Sequence, residues 1–233
     1  MFPEGGPLPS IAELRDLDDP VLWGLPVTRE HLAIAYRRGI FPWPTGMRGM
    51  PVPWCSPDPR ALLRFADLHV PRSLARAART SGLAFSIDRD FESVMRACAA
   101  AKRPGQRGTW ITAAMLRGYT DLHRHGMAHS VEAWRDGVLV GGLYGVDAGG
   151  VFTGESMFYR EDNASKLALL HLVAHCRGRG ATWIDIQQLT PHLRALGAVE
   201  VSRNDYLDLL QGAQASGVDL FPASGGTRPV AEE

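Results

Sequence analysis

The runs Ser130 to Trp134, Val138 to Val146 and Val151 to Phe158 are strand-like and are separated only by Arg135-Asp136-Gly137 and Asp147-Ala148-Gly149-Gly150. Connections this short cannot carry a crossover, and their Asp and Gly residues suit hairpin turns, so the three strands are expected to form an antiparallel meander. The hydrophobic period then changes. Asn163 or Ser165 is expected to cap an apolar helix carrying Leu167, Leu170 and Val173, which ends near Gly178. The chain returns in Trp183-Ile184-Asp185-Ile186-Gln187, where a period of two puts Asp185 and Gln187 on one face and the isoleucines on the other. Strands, a helix and a returning strand make an α+β layer architecture with a mainly antiparallel sheet.

The first half is punctuated differently. Thr28 supplies an N-cap hydroxyl and Gly39 a C-terminal stop for a helix through Arg38. From Phe41 to Arg60 the prolines 42, 44, 51, 53, 57 and 59 deny both helix and central strand, while Trp43 and Trp54 indicate an ordered loop. Apolar segments at Ala61 to Phe65 and Leu83 to Ile87 flank a Pro71-initiated helix with Arg72, Arg76 and Arg79 at helical spacing. Asp90 caps a helix through Cys98, and Thr112 caps another through His125, closed by Gly126. Thr190-Pro191 starts a short helix ending at Gly197, and Asn204 and Asp205 begin one more. The expected organisation is a small amino-terminal domain over residues 1–60 and an acetyltransferase-like (GNAT-like) domain over 61–222. The Gly/Ser/Pro-rich tail, 223–233, is expected to fray.

Composition narrows the function classes. With 25 basic and 25 acidic side chains among 233 residues, no global field draws the chain to nucleic acid, so any such binding needs a local patch. Nearly all the basic residues are arginines, which favour bidentate phosphate contacts. Arg37, Arg38, Arg72 and Arg76 are candidates, against the alternative of a solvated arginine face. Cys55, Cys98 and Cys176 are odd in number and lack Cys-x-x-Cys spacing, which argues against a disulfide framework or structural zinc. Neither a signal peptide nor a membrane-spanning run is visible, so a cytoplasmic protein is expected.

Chemistry concentrates late in the chain. A carboxylate and an amide side by side on a strand, Asp185 and Gln187, can grip an amine and a carbonyl together, which suits acyl transfer to nitrogen. Glu155 is disfavoured in a strand unless solvated or paired, so it marks either a pocket for a cationic substrate or an internal salt bridge with arginine. His171 and His175 have the i, i+4 spacing of zinc ligands, but Leu172 stands where a zinc hydrolase needs glutamate, and the expectation is no metal. Gly154-Glu155-Ser156-Met157-Phe158 does not match a nucleophile elbow. The segment Tyr159 to Lys166 has no glycine to cradle a pyrophosphate at a helix start, which disfavours acyl-coenzyme A as donor.

Several of these segments carry a resemblance. The stretches Ala35-Tyr36-Arg37-Arg38-Gly39-Ile40-Phe41-Pro42-Trp43, Ser56-Pro57-Asp58-Pro59-Arg60, Gly108-Thr109-Trp110-Ile111-Thr112, Gly141-Gly142-Leu143-Tyr144-Gly145-Val146, Gly154-Glu155-Ser156-Met157-Phe158 and Ile184-Asp185-Ile186-Gln187 occur in order. As a set they resemble the bacterial leucyl/phenylalanyl-tRNA–protein transferases. The resemblance implies an aminoacyltransferase that needs no metal or coenzyme. It moves leucine or phenylalanine, with methionine a further candidate, from aminoacyl-tRNA to the amino-terminal arginine or lysine of proteins in the N-degron pathway.

By the same resemblance Asp185 and Gln187 are the catalytic pair, and Glu155 lies beside the acceptor. Leu143 and Phe152 line the aminoacyl pocket, and Tyr36, Trp43 and Trp110 surround the tRNA 3'-adenosine. The partners are aminoacyl-tRNA and protein substrates, with no membrane and a monomeric state expected. In mechanism, Asp185 is expected to attract the acceptor amine while the Gln187 carbonyl oxygen accepts one of its hydrogens. Two other classes stay open: a related acyltransferase using a small-molecule acceptor or an acyl-coenzyme A donor, and a tRNA-binding protein without catalysis.

Overall fold

The computed structural model describes residues 6–44, 50–101 and 109–222, so the tail from residue 223, Gly108 and the first five residues lie outside the described residues. The amino-terminal part holds α1 (Ile11–Leu14), β1 (Leu22–Trp23), α2 (Arg29–Arg37), β2 (Phe41–Pro42) and β3 (Pro53–Cys55). β1, β3 and β2 form a small antiparallel sheet in that order. The proline-rich segment is therefore not loop throughout. Its strands are only two and three residues long, short enough for the prolines at their ends to cost few ladder hydrogen bonds.

The rest continues with β4 (Arg60–Arg64), α3 (Arg72–Thr80), β5 (Ala84–Ile87), α4 (Phe91–Ala100), α5 (Ala113–Arg124), β6 (Ala128–Arg135), β7 (Val138–Asp147) and β8 (Phe152–Tyr159). It closes with α6 (Ala164–Gly178), β9 (Trp183–Gln187), α7 (Pro191–Ala195), β10 (Val199–Val201) and α8 (Arg203–Ala215). Seven strands form one sheet in the order β10-β4-β9-β8-β7-β6-β5. All neighbours pair antiparallel except β8 and β9, which are parallel and joined through α6. The meander, the helix and the returning strand agree with the expected α+β class with a mainly antiparallel sheet.

Local chemistry explains most boundaries. Thr28, Asp90 and Thr112 accept hydrogen bonds from the backbone N–H groups of His31, Ser93 and Met115, as N-caps do. Two expected caps differ. Asn163 precedes α6 in a left-handed conformation and its side chain makes no capping bond, and Thr190 makes none either. α8 starts earlier than Asn204: Ser202 accepts from the Asp205 N–H at 3.1 Å and donates to its carboxylate at 2.7 Å.

Apolar residues sort onto the two faces of the sheet. On one face Leu32, Ala35 and Tyr36 of α2, Phe41, Trp54, Val94, Tyr119, Tyr144, Tyr206 and Leu210 belong to a single cluster, so the amino-terminal part and the main sheet share one core. On the other, Leu74 of α3 and Leu167, Leu172 and Val173 of α6 cover Leu63, Leu143, Phe152 and Ile184. Two glycines let this packing close over the site. A Cβ on Gly39 (φ +78°) would stand 2.7 Å from the Tyr206 ring, and one on Gly145 would stand 2.2 Å from the Thr153 carbonyl oxygen.

Candidate active site

The parallel pairing of β8 and β9 registers at Thr153↔Asp185. Beyond that rung Gly154, Glu155, Ser156 and Met157 are all partly exposed, although β8 is the central strand of the sheet. A strand paired on both edges and covered on both faces would bury them, and Thr153↔Asp185 is the one rung between β8 and β9 among the described residues, so the two strands part here. Both also carry a bulge at this level. β8 shifts register between Tyr144↔Ser156 and Gly145↔Gly154, which makes Glu155 the extra residue. β9 shifts between Leu62↔Asp185 and Ala61↔Gln187, which makes Ile186 the extra residue. Bulges re-aim side chains. Here they bring Glu155 and Gln187 together on the face of α2 and α5.

Gln187 donates from Nε2 to Glu155 Oε1 at 2.5 Å. Tyr36 donates its hydroxyl to the same oxygen at 2.5 Å, and Tyr119 donates to Oε2 at 3.2 Å. Among the described residues Glu155 has no arginine partner, so the internal salt bridge considered from the sequence is not formed. Desolvation pushes the Glu155 carboxyl up to about 7, against the three hydrogen bonds that favour its charge, and the nearby Asp185 charge adds to the rise. Burial and the Glu155 charge hold Tyr36 and Tyr119 well above the ordinary phenol range, which keeps both as donors.

Asp185 is fully buried and its carboxylate is taken up internally. Arg60 forks onto it, Nε to Oδ1 at 3.0 Å and Nη2 to Oδ2 at 2.6 Å. Oδ2 also accepts from the Tyr206 hydroxyl at 3.0 Å and the Thr153 hydroxyl at 3.2 Å, and Oδ1 from the Gln187 backbone N–H at 2.8 Å. The Arg60 guanidinium lies between the rings of Phe41 (4.7 Å) and Tyr206 (4.5 Å) and donates to the Gly39 carbonyl at 3.2 Å. Burial works most strongly against its charge, but Asp185 together with Tyr206 and Tyr36 outweighs this and raises its pKa. Asp185 and Gln187 do share a sheet face. The direct contact of Asp185 with an acceptor amine, expected from the sequence, is replaced by this closed network.

The remaining expected site residues fall in three places. Leu143 and Phe152 are buried on the opposite face of the sheet, in the cluster under α6. Trp43 and Trp110 are partly exposed and pack on the core shared with α2, Trp43 tilted against Phe41 at 5.7 Å. Tyr36 differs from them: its ring is buried and its hydroxyl engaged with Glu155, so it presents no open stacking face. Arg37 is exposed at the end of α2, whereas Arg38 is turned inward onto the carbonyls of Leu8 and Pro9. Arg72 and Arg76 are exposed on α3, against the other face of the sheet, so the two arginine pairs form no single helix surface. His171 stacks on Phe85, and His175 Nε2 donates to the Leu220 carbonyl at 2.8 Å.

Four members of the site escaped the sequence reading: Arg60, Tyr119, Thr153 and Tyr206. Arg60 opens the apolar run Ala61 to Phe65, and a charge at the start of a buried strand is a signal that it has a buried partner. The other three stand in segments where nothing in the local pattern sets them apart.

The family model described as "Leucyl/phenylalanyl-tRNA protein transferase" matches residues 62–211, and the model of that family's N-terminal domain matches residues 27–58. A protein of Chromohalobacter salexigens named leucyl/phenylalanyl-tRNA–protein transferase is 49% identical over 214 residues, covering 91% of this chain and 82% of that protein. Its namesake from Pseudomonas fluorescens is 47% identical over 197 residues, covering 84% and 86%. Among solved structures, L-PGS from Bacillus licheniformis aligns with a TM-score of 0.40 at 13% identity, covering 75% of this chain and 57% of that one. By the matched domains and these identities, the chain belongs to the leucyl/phenylalanyl-tRNA–protein transferase family.

Proposed function

We propose that this chain is an aminoacyltransferase that moves leucine or phenylalanine, with methionine a further donor to test, from aminoacyl-tRNA to the amino-terminal arginine or lysine of proteins. It thereby marks them for degradation in an N-degron pathway. The observation that carries this reading is the meeting of Glu155 and Gln187 where β8 and β9 part. An amide that donates its N–H to Glu155 turns its carbonyl oxygen toward an incoming amine. It accepts one hydrogen and aims the nitrogen lone pair at the ester carbonyl.

The aminoacyl ester is already activated, so the chain's task is to hold a neutral amine in line. The free α-amine has a pKa of about 7.7 to 8.0, so much of it is protonated near neutrality. As the new C–N bond forms and the ester C–O bond breaks, the amine loses a proton to water or to the departing ribose oxygen. An amide is too weak a base to keep it. The Glu155 charge favours a cationic acceptor side chain. In this reading Gln187 touches the acceptor and Asp185 holds Gln187.

Leu143, Phe152 and their neighbours under α6 are the apolar wall that a leucyl or benzyl side chain meets on passing between the strands. Burial contributes ~25 cal/mol per Å² there, which separates large apolar side chains from small or charged ones. Trp43 and Trp110 provide stacking faces for the 3'-adenosine, worth ~1 to 3 kcal/mol per base. Arg37 is the best-placed phosphate ligand, with Arg72 and Arg76 reaching tRNA only where it wraps the other face. A monomer in the cytoplasm completes the proposal, and no helix of the described residues is long and apolar enough to cross a membrane.

The test is to incubate the protein with tRNA charged with labelled leucine, phenylalanine or methionine and peptides beginning with Arg, Lys or Ala. Transfer confined to Arg and Lys peptides is expected. Transfer to a small-molecule amine but to none of the peptides would overturn the acceptor assignment.

A further inference from the structure

Gln187 is a non-glycine residue with φ at +61°, a left-handed conformation that crowds its Cβ and costs roughly 1–2 kcal/mol. Such a turn persists only where its surroundings impose it. The Asp185 carboxylate does so directly, because Oδ1 accepts the Gln187 backbone N–H at 2.8 Å. Asp185 in turn is fixed from three other elements: Arg60 of β4, Thr153 of β8 and Tyr206 of α8.

A buried ion pair with hydrogen-bonded neighbours adds little net stability over an apolar filling of the same space, so stability alone does not account for this assembly. Its geometric product does: a carboxylate with no freedom to rotate, and a Gln187 side chain aimed at Glu155.

We propose that Arg60, Thr153 and Tyr206 are positioning residues of the transfer reaction, which act by locking the Asp185 carboxylate so that it imposes the left-handed turn at Gln187. This deepens the proposed function and rests on it. Asp185 works through the backbone of Gln187 and does not touch the substrate. The lock joins the first and last parts of the chain. The Arg60 guanidinium is stacked on Phe41 of β2 and bonded to Gly39, and the Tyr206 ring fits only because residue 39 has no side chain.

The experiment compares the full-length parent with Thr153→Val, Thr153→Ser and Tyr206→Phe in steady-state transfer of labelled leucine from leucyl-tRNA to an Arg peptide. Thermal unfolding is recorded for each. Val and Phe keep volume and remove one hydrogen bond to Asp185 Oδ2, whereas Ser keeps the hydroxyl. Expected are a drop in kcat of about 5- to 10-fold for Thr153→Val and Tyr206→Phe, a KM for leucyl-tRNA within about twofold of the parent, and recovery of most of kcat in Thr153→Ser.

Leu14→Ala, at the buried residue of α1 and outside the network, controls for stability: it should lower Tm at least as much and leave kcat unchanged. A parent that transfers no leucine removes the proposed function itself. A parent that transfers leucine while Thr153→Val and Tyr206→Phe keep parental kcat, or while Thr153→Ser is as slow as Thr153→Val, overturns the positioning role and leaves the function standing.

Discussion

Replacing Glu155 with glutamine should become steadily more favourable to stability, relative to the parent, as pH rises, by an amount set by the site. The carboxyl is raised from 4.5 to about 7, chiefly because the site desolvates its charge. Between those values the unfolded chain has released the proton that the folded chain still holds. The folded state binds more protons, and stability therefore falls as pH increases through this window. Below 4.5 both states are protonated and nothing is lost, and above 7 the loss has levelled off.

Applying the two-state linkage relation to this pair of values gives a loss of about 1 kcal/mol by pH 5 and about 3 kcal/mol by pH 8, a difference of about 2.5 kcal/mol. Glutamine keeps the shape and cannot ionise. Urea unfolding of the parent and Glu155→Gln at pH 5 and pH 8 isolates the carboxyl and the groups coupled to it, because titrating groups that do not interact with Glu155 cancel in the double difference. The parent should lose about 2.5 kcal/mol relative to the variant across that interval. Two stability curves that run parallel within about 0.5 kcal/mol would refute the claim that the folded site raises this carboxyl.

Three further outcomes are expected. Gln187→Gly should be more stable than Gln187→Ala by about 1 kcal/mol in urea unfolding, because only glycine adopts φ +61° without strain, and both should transfer at least about 100-fold more slowly than the parent. Asp185→Asn should destabilise the fold by about 3–5 kcal/mol by leaving the Arg60 cation buried without its partner, and should lower turnover far more than tRNA affinity, as read from denaturation and from filter binding. Arg37→Ala should weaken tRNA binding and reduce the slope of log affinity against log salt by about 1, whereas an unchanged slope would remove Arg37 from the phosphate contacts.

The layout of the second half was legible because its determinants are local. Short Asp/Gly turns dictate antiparallel neighbours, a change of period from two to 3.6 marks α6, and Thr28, Asp90 and Thr112 announce their helices through hydroxyl or carboxylate caps that the structure makes. The short strands β1 and β10 were not legible. Two or three residues carry no periodicity, and only partners distant in sequence, Pro53 to Trp54 and Arg60 to Leu62, make them strands.

The sequence by itself determined that Asp185 and Gln187 would stand two apart on one strand, and the collinear motifs placed the chain in its family. With Ile186 bulged between them and Gln187 left-handed, their common facing is a product of the tertiary structure and not of the two-residue repeat. Only the tertiary structure decided what each of these two buried side chains meets. Asp185 is closed off because Arg60, 125 residues away, lies across it, with Thr153 and Tyr206 completing its shell. Glu155 faces Gln187 because bulges in two separate strands coincide. A carboxylate's role follows from its solvation and its partners. Those are supplied by segments far away in sequence, so no local pattern around Asp185 or Glu155 could have revealed which charge is locked and which is held near neutrality.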